Sequence, residues 1–267
     1  MNPGGAASSL RIFFVGGWMS YRALFGWLSP WILIPTFLVE PVFQILFFAY
    51  VGRDAGVGDD SFYLVGNAIQ FASIPCLFAM GNTIAGERYA STLPLILVSP
   101  ARRLPLFLGR ALPVIVNGLL CSLIALGLGA LILGVTIPLS SVPLLVVVVA
   151  VSAFSCTGLG MAAAALALRV RETAVLSNLI MGVLLIFCGV NVALSALPQW
   201  MESVGRVLPF THGIEASRAV VAGADWSQVA GLVGTEVLIG VVYLLIGLMM
   251  LHYLEIESRR RSTLDIA

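Results

Sequence analysis

"LVGTEVLIGVVYLLIGLMMLHYL" occupies residues 232–254. The run is 23 residues long, and its only acid is Glu236 and its only histidine His252. A bilayer core about 30 Å thick takes ~20 apolar residues to cross as an α-helix, but only about ten as a strand. Backbone groups in lipid must bond within their own segment, so a run of this length is a transmembrane helix. The same reading covers roughly 31–51 ("WILIPTFLVEPVFQILFFAYV"), 62–86, 111–136, 142–168 and 173–195. The expected fold is therefore all-α, with six transmembrane helices forming one domain over 1–267.

Composition agrees. The chain is 60% hydrophobic and 10% charged, with a mean hydropathy of +1.04, whereas soluble domains carry about 25% charged residues. All 14 basic residues are arginine. Without lysine there is no GxxxxGK[ST] loop, so the usual phosphate cradle of an ATPase is excluded from this chain. Cys76, Cys121, Cys156 and Cys188 fall in apolar stretches without CxxC spacing and read as small buried hydrophobes. With only two histidines and no HExxH, neither a metal site nor a zinc protease is supported, and a net charge of +1 gives no footing for nucleic acid.

The arginines orient the spans. With the N-terminus inside, Arg11, Arg22, Arg88, Arg102, Arg103, Arg110, Arg169, Arg171, Arg259, Arg260 and Arg261 all face the cytoplasm. Only Arg53, Arg206 and Arg218 lie outside, so both termini are expected to be cytoplasmic, with 255–267 as a tail. Residues 1–30 lack the pattern of a cleavable signal. Arg11 and Arg22 share a face there, opposite Phe14, Trp18, Tyr21 and Phe25, as in an amphipathic helix lying in the membrane interface. Between spans five and six, 196–231 is too polar to cross and too apolar to be a solvated linker. Pro198, Pro209 and glycines divide it into short helices that re-enter or lie on the outer face, with Trp200 and Trp226 at headgroup level.

Several residues inside the spans stand out. Ser152, Cys156, Gly160 and Ala164, and likewise Ala125 and Gly129, form small-residue stripes for close helix packing. Glu40 lies near the middle of span one, and Asn67, Gln70, Asn82, Asn117, Asn178 and Asn191 are candidates to line a path or to bond between helices. Glu236 lies early in span six near the outer interface, where snorkelling explains it about as well as a functional role does. No row of aromatics along one face of spans one, two or five is evident. His212, Glu215 and Arg218 share a broad face, on which a Glu215–Arg218 ion pair is the ordinary expectation.

On the inner side, between spans two and three, lies "ERYASTLPLILVSPARRLPLFLGR" (87–110). Glu87 and Arg88 end span two. Ser91 can cap a short helix that runs through Thr92, with Pro94 in its first turn. Leu93, Ile96 and Leu97 give that helix an apolar face, and Ser99-Pro100 ends it. Arg102 and Arg103 follow in the phosphate-rich interface; the chain then turns at Pro105 and enters span three after Arg110. Such a helix either offers a handle to a grooved soluble partner or rests on the lipid surface, and physics alone leaves both open.

Three stretches carry a family likeness. They are Glu87-Arg88 with Ser91-Thr92-Leu93, Leu95 to Val98 and Ser99-Pro100; "RVRETAVLSNLIMG" (169–182); and "LPQWMESVGRVLPFTHGIEASRAVVAG" (197–223). In these the chain resembles the membrane subunits of type-2 ATP-binding-cassette exporters, the group that includes daunorubicin-resistance permeases and O-antigen and teichoic-acid permeases. Ser91 stands in place of the usual glycine, Pro94 of the usual glutamate, and Cys188-Gly189-Val190 of the usual Ser-Gly.

The resemblance implies a bacterial plasma-membrane dimer of permease chains, identical or related, with two separate ATPase subunits that carry the ATP and magnesium. It implies a coupling helix within 91–99, a connecting helix at the N-terminus, and a path along spans one, two and five. That favours Glu40, Asn67, Gln70 and Asn178 as path residues. The expected cargo is a lipophilic drug, antibiotic or lipid. A polysaccharide permease is the alternative, and an intramembrane enzyme is the competitor from another class, for which no catalytic set is found.

Overall fold

The computed structural model describes residues 11, 14–19, 21, 22, 31, 35, 39–56, 58–82, 103–166 and 172–261. Among them there is no strand. The helices bounded among the described residues are, in order, α1 Glu40–Ala55, α2 Asp60–Asn82, α3 Arg103–Leu133, α4 Val142–Leu166, α5 Thr173–Phe187, α6 Gln199–Gly205, α7 Thr211–Val221 and α8 Trp226–Arg261. Among the described residues four stretches are long and apolar enough to cross a membrane: Asp60–Asn82, Leu108–Leu133, Leu139–Leu166 and Trp226–Tyr253.

Boundaries move where the backbone chemistry demands it. α1 runs past residue 51 to Ala55 and stops at Gly56, whose φ of 64° is left-handed and favours glycine. α3 begins at Arg103, so the chain does not turn at Pro105: a proline in the first helical turn gives up only an N–H that has no helical acceptor. α5 ends at Phe187 rather than at 195, because Gly189 takes a φ of 73° and turns the chain. Its 15 residues span ~22 Å at 1.5 Å each, short of a bilayer core. α8 already starts at Trp226, six residues before 232.

α2 is the innermost helix. Of its apolar window 83% is buried, against 22% for α8, whose Leu238, Leu245 and Met249 face outward. Its middle is irregular because Pro75 has no N–H and its ring crowds the carbonyl one turn back. The chain tightens first, with Ala72 N–H donating to Ile69 O (3.0 Å), then widens into a π-type turn over Pro75–Ala79. The widened turn rests on α4 at Gly160, where a Cβ would collide with the Cys76 carbonyl. The stripe of Ser152, Cys156, Gly160 and Ala164 is buried as its spacing suggests. A second stripe joins α4 to α8: a Cβ on Gly158 would lie 2.6 Å from the Gly240 carbonyl, and one on Gly247 2.7 Å from Ala162 N.

The N-terminal aromatics Phe14, Trp18 and Tyr21 are exposed, as are Arg11 and Arg22. Gly17 packs on α3, 2.8 Å from the Gly109 carbonyl as judged from where a Cβ would stand. That carbonyl is the one Pro113 leaves without its helical donor. All four cysteines are free and buried. Residues 87–100 and Arg102, and with them the expected coupling helix, lie outside the described residues; Arg103 is the first residue of α3.

Candidate functional site

Polar side chains converge where α1, α2 and the turn after α5 meet. Gln44 of α1 donates from Nε2 to Asn67 Oδ1 (3.0 Å) and to Gln70 Oε1 (3.1 Å), both on α2. Asn67 spends its own Nδ2 on the Tyr63 carbonyl (2.9 Å) and on Asn191 Oδ1 (2.8 Å), beyond α5. Gln70 in turn reaches Ser73 Oγ at 3.4 Å. Asn67 and Gln70 are buried, and Asn67 fills both donor positions and accepts once. A buried amide left unmade costs about 1–3 kcal/mol, which is why these groups bond to one another across three elements.

Close by, Arg218 of α7 ties α2 to the turn after α5. Its Nε and Nη2 donate to the Phe62 carbonyl of α2 (3.3 and 3.0 Å), Nη1 to Gly189 O and Nη2 to Val190 O (2.8 Å each). The Phe62 ring lies 3.5 Å from the guanidinium carbon, a cation–π contact. Burial pushes the guanidinium down to about 10, with Glu215 and Tyr63 acting the other way, so it stays charged at neutral pH. Gly66 makes this approach possible, since a Cβ there would stand 2.7 Å from Arg218 Nη2. Phe62 and Arg218 also line a crevice of about 540 Å³ whose other walls include Asp59, Asp60, Leu133 and Val221.

The expected Glu215–Arg218 ion pair is not made. Arg218 gives its donors to carbonyls, while Glu215 faces His212, with Oε2 3.9 Å from Nδ1. The snorkelling account of Glu236 also fails. Glu236 is fully buried, and its two oxygens accept the N–H groups of Phe210 (2.7 Å) and Gly213 (3.1 Å). It caps the N-terminus of α7 from α8, where the helix dipole favours an anion. α7 is thereby held inside the body against α2, α4 and α8, while α6 stays at the surface with Trp200 exposed.

Of the residues favoured for a path, Asn67 and Gln70 meet in the amide junction. Asn178 is exposed on α5 and Glu40 is exposed on α1, so neither joins it; Asn191 does. Gln44 was overlooked although it lies one turn from Glu40 in an apolar span, the same signal that singled out the asparagines. A row of aromatics does exist: Phe43, Phe47 and Tyr50 are exposed at successive turns of α1.

A sequence model described as ABC-2 family transporter protein matches residues 58–249, or 192 of the 267 residues. The chain belongs to the ABC-2 transporter family. No curated protein matches it. The matched range of this ABC-2 chain holds Asn67, Gln70, Asn191, Arg218 and Glu236, and omits Gln44. Membership makes it a permease subunit of an ABC transporter, a membrane component that associates with an ABC ATPase and is generally not itself catalytic.

Proposed function

We propose that the chain forms half of the transmembrane path of an ATP-driven exporter for a lipophilic small molecule or lipid. Two copies, or this chain and a related one, enclose the path. Two separate ATPase subunits, which hold the ATP and magnesium, engage the inner segment 87–110 through Leu93, Ile96 and Leu97, with both termini on that side. The observation that carries the reading is the amide junction, because Gln44, Asn67 and Asn191 are polar groups on the three elements that the path would run along. The apolar exposure of α1 and α5 supports a second chain or lipid against them.

The row Phe43, Phe47 and Tyr50 favours one alternative, a glycan cargo, since sugar rings stack on such faces. Affinity purification from native membranes in mild detergent tests the core claim. A Walker-motif ATPase of separate sequence is expected to come down stoichiometrically, with ATP hydrolysis stimulated by lipophilic compounds. Stimulation by glycan alone would shift the cargo; a chain that comes down alone and ignores nucleotide would end the reading.

A further inference from the structure

The crevice of about 540 Å³ lies where the start of α2, the end of α3 and the end of α7 meet. Small-molecule sites run from about 300 to 1,000 Å³, so this one has room for a ligand. Its apolar walls are Phe62, Val65, Leu133, Val135 and Val221. Leu133 and Val221 are the last residues of α3 and α7. Two helices therefore turn the negative ends of their dipoles, and their last carbonyls, toward one space. α2 begins there with the positive end of its own dipole, but Asp59 and Asp60 stand on that end.

The two carboxylates differ in what they have left to offer. Asp60 is taken up by Arg53, whose Nε donates to Oδ1 at 2.7 Å and whose Nη2 donates to Oδ2. Asp59 accepts from Ser61 Oγ on Oδ2 (2.8 Å), and its Oδ1 has no hydrogen bond among the described residues. Arg218 is the opposing charge in the wall. Its donors go to the carbonyls of Phe62, Gly189 and Val190, whose dipoles answer much of that charge.

We propose that the crevice is a binding site for an ammonium group carried on a short apolar body, with Asp59 as its anchor. The ammonium donates to Asp59 Oδ1 and to the carbonyls that end α3 and α7, which are short of donors. The carbon chain covers Val65, Leu133, Val135 and Val221. An anion would meet two helix C-termini and two carboxylates; a neutral apolar molecule would displace water from Asp59 and return nothing. A free amphiphilic amine and an ethanolamine lipid headgroup both offer this chemistry. Binding requires neither ATP nor a partner chain and stands apart from the transport reading; only a role for the crevice in receiving cargo rests on it.

Thr136 is exposed at the crevice, and all four native cysteines are buried. Thr136→Cys therefore supplies an accessible thiol whose maleimide labelling, read by peptide mass spectrometry, reports occupancy. In nanodiscs of phosphatidylglycerol, n-hexylammonium should protect that thiol saturably. n-Hexanol, with the same body and no charge, should protect at least tenfold more weakly, and hexanoate not at all. Adding Asp59→Asn should weaken protection by n-hexylammonium about tenfold, the loss of one charge-assisted contact. Asparagine flanks a helix start as well as aspartate does, so α2 should keep its first turn in that variant. Replacing part of the lipid by phosphatidylethanolamine separates the two sources: slower labelling that Asp59→Asn relieves assigns the site to the headgroup, and unchanged labelling assigns it to free amines. Equal protection by n-hexanol and n-hexylammonium, no protection by either, or parental protection in Asp59→Asn would overturn the proposal.

Discussion

Replacing Arg218 by alanine would empty a seat built from three carbonyls and an aromatic face. The Phe62 carbonyl belongs to the helical ladder of α2 and keeps a partner there. Gly189 and Val190 lie in the turn after α5, outside that ladder, so their carbonyls lose a charged donor. Each orphaned carbonyl costs ~1–2 kcal/mol, and the cation–π contact about 1 more. Water entering from the adjoining crevice recovers part of this. The net is ~2–4 kcal/mol, spent on opening the contact between α2 and the 188–191 turn, or roughly 30- to 1,000-fold in the open population. Cys188 reports on that opening, because it is buried in the same turn with Sγ 3.2 Å from the Pro209 carbonyl. In nanodiscs, maleimide modification of Cys188, read by peptide mass spectrometry, should accelerate by that factor, since labelling tracks the open fraction. Arg218→Lys should fall between, offering one point donor in place of a fork. Free guanidinium at millimolar concentration should slow the alanine variant again. Labelling of Arg218→Ala within twofold of the parent, or acceleration that guanidinium does not reverse, would refute the account of this seat.

Three further outcomes follow from the same contacts. Glu236→Ala should destabilise the protein by ~3–5 kcal/mol, because two backbone N–H groups at the start of α7 lose their acceptor, while Glu236→Gln should cost less than half of that; thermal unfolding in detergent separates them. Gly158→Val should cost ~1–3 kcal/mol or more, measured the same way, since a Cβ there meets backbone rather than a yielding side chain, whereas Gly127→Val, with open space around it, should be near neutral. On the proposed coupling, Leu93→Asp with Ile96→Asp should leave insertion intact and abolish substrate-stimulated ATPase activity in the reconstituted complex; stimulation at the parental level would remove 91–99 from the coupling role.

Much of the helical layout was legible because transmembrane length and hydropathy are local properties. What escaped was non-local. The end of α5 is set by Gly189 at positive φ, which an apolar run continuing to Leu194 conceals. Glu236 was placed by its depth along span six, but its partners are backbone groups 23 and 26 residues earlier, brought back by the fold of α7. The pairing of Glu215 with Arg218 followed from helical spacing, yet Arg218 found carbonyls from two other elements, one of them 156 residues away. The Ser152–Ala164 stripe was readable from its spacing of four. The α4–α8 contact uses Gly158, Gly240 and Gly247 from both helices, and neither half of that pattern is informative alone.

The two kinds of helix contact in this chain differ in what it takes to part them. α4 and α8 meet backbone to backbone through glycines, and dispersion between close surfaces falls steeply with small separations. α1, α2 and the turn after α5 are joined by amides, and α2 and that turn also by a guanidinium, beside a crevice that admits solvent. Such bonds are exchanged with water at a net cost near 1 kcal/mol each. On the proposed transport reading, the seam expected to part is the polar one, with the α4–α8 pair moving as one body and α7 fastened to it by Glu236. Arg218 of α7 holds the carbonyls of α2 and of the 188–191 turn, so on the same reading it is the link expected to let go as the seam opens.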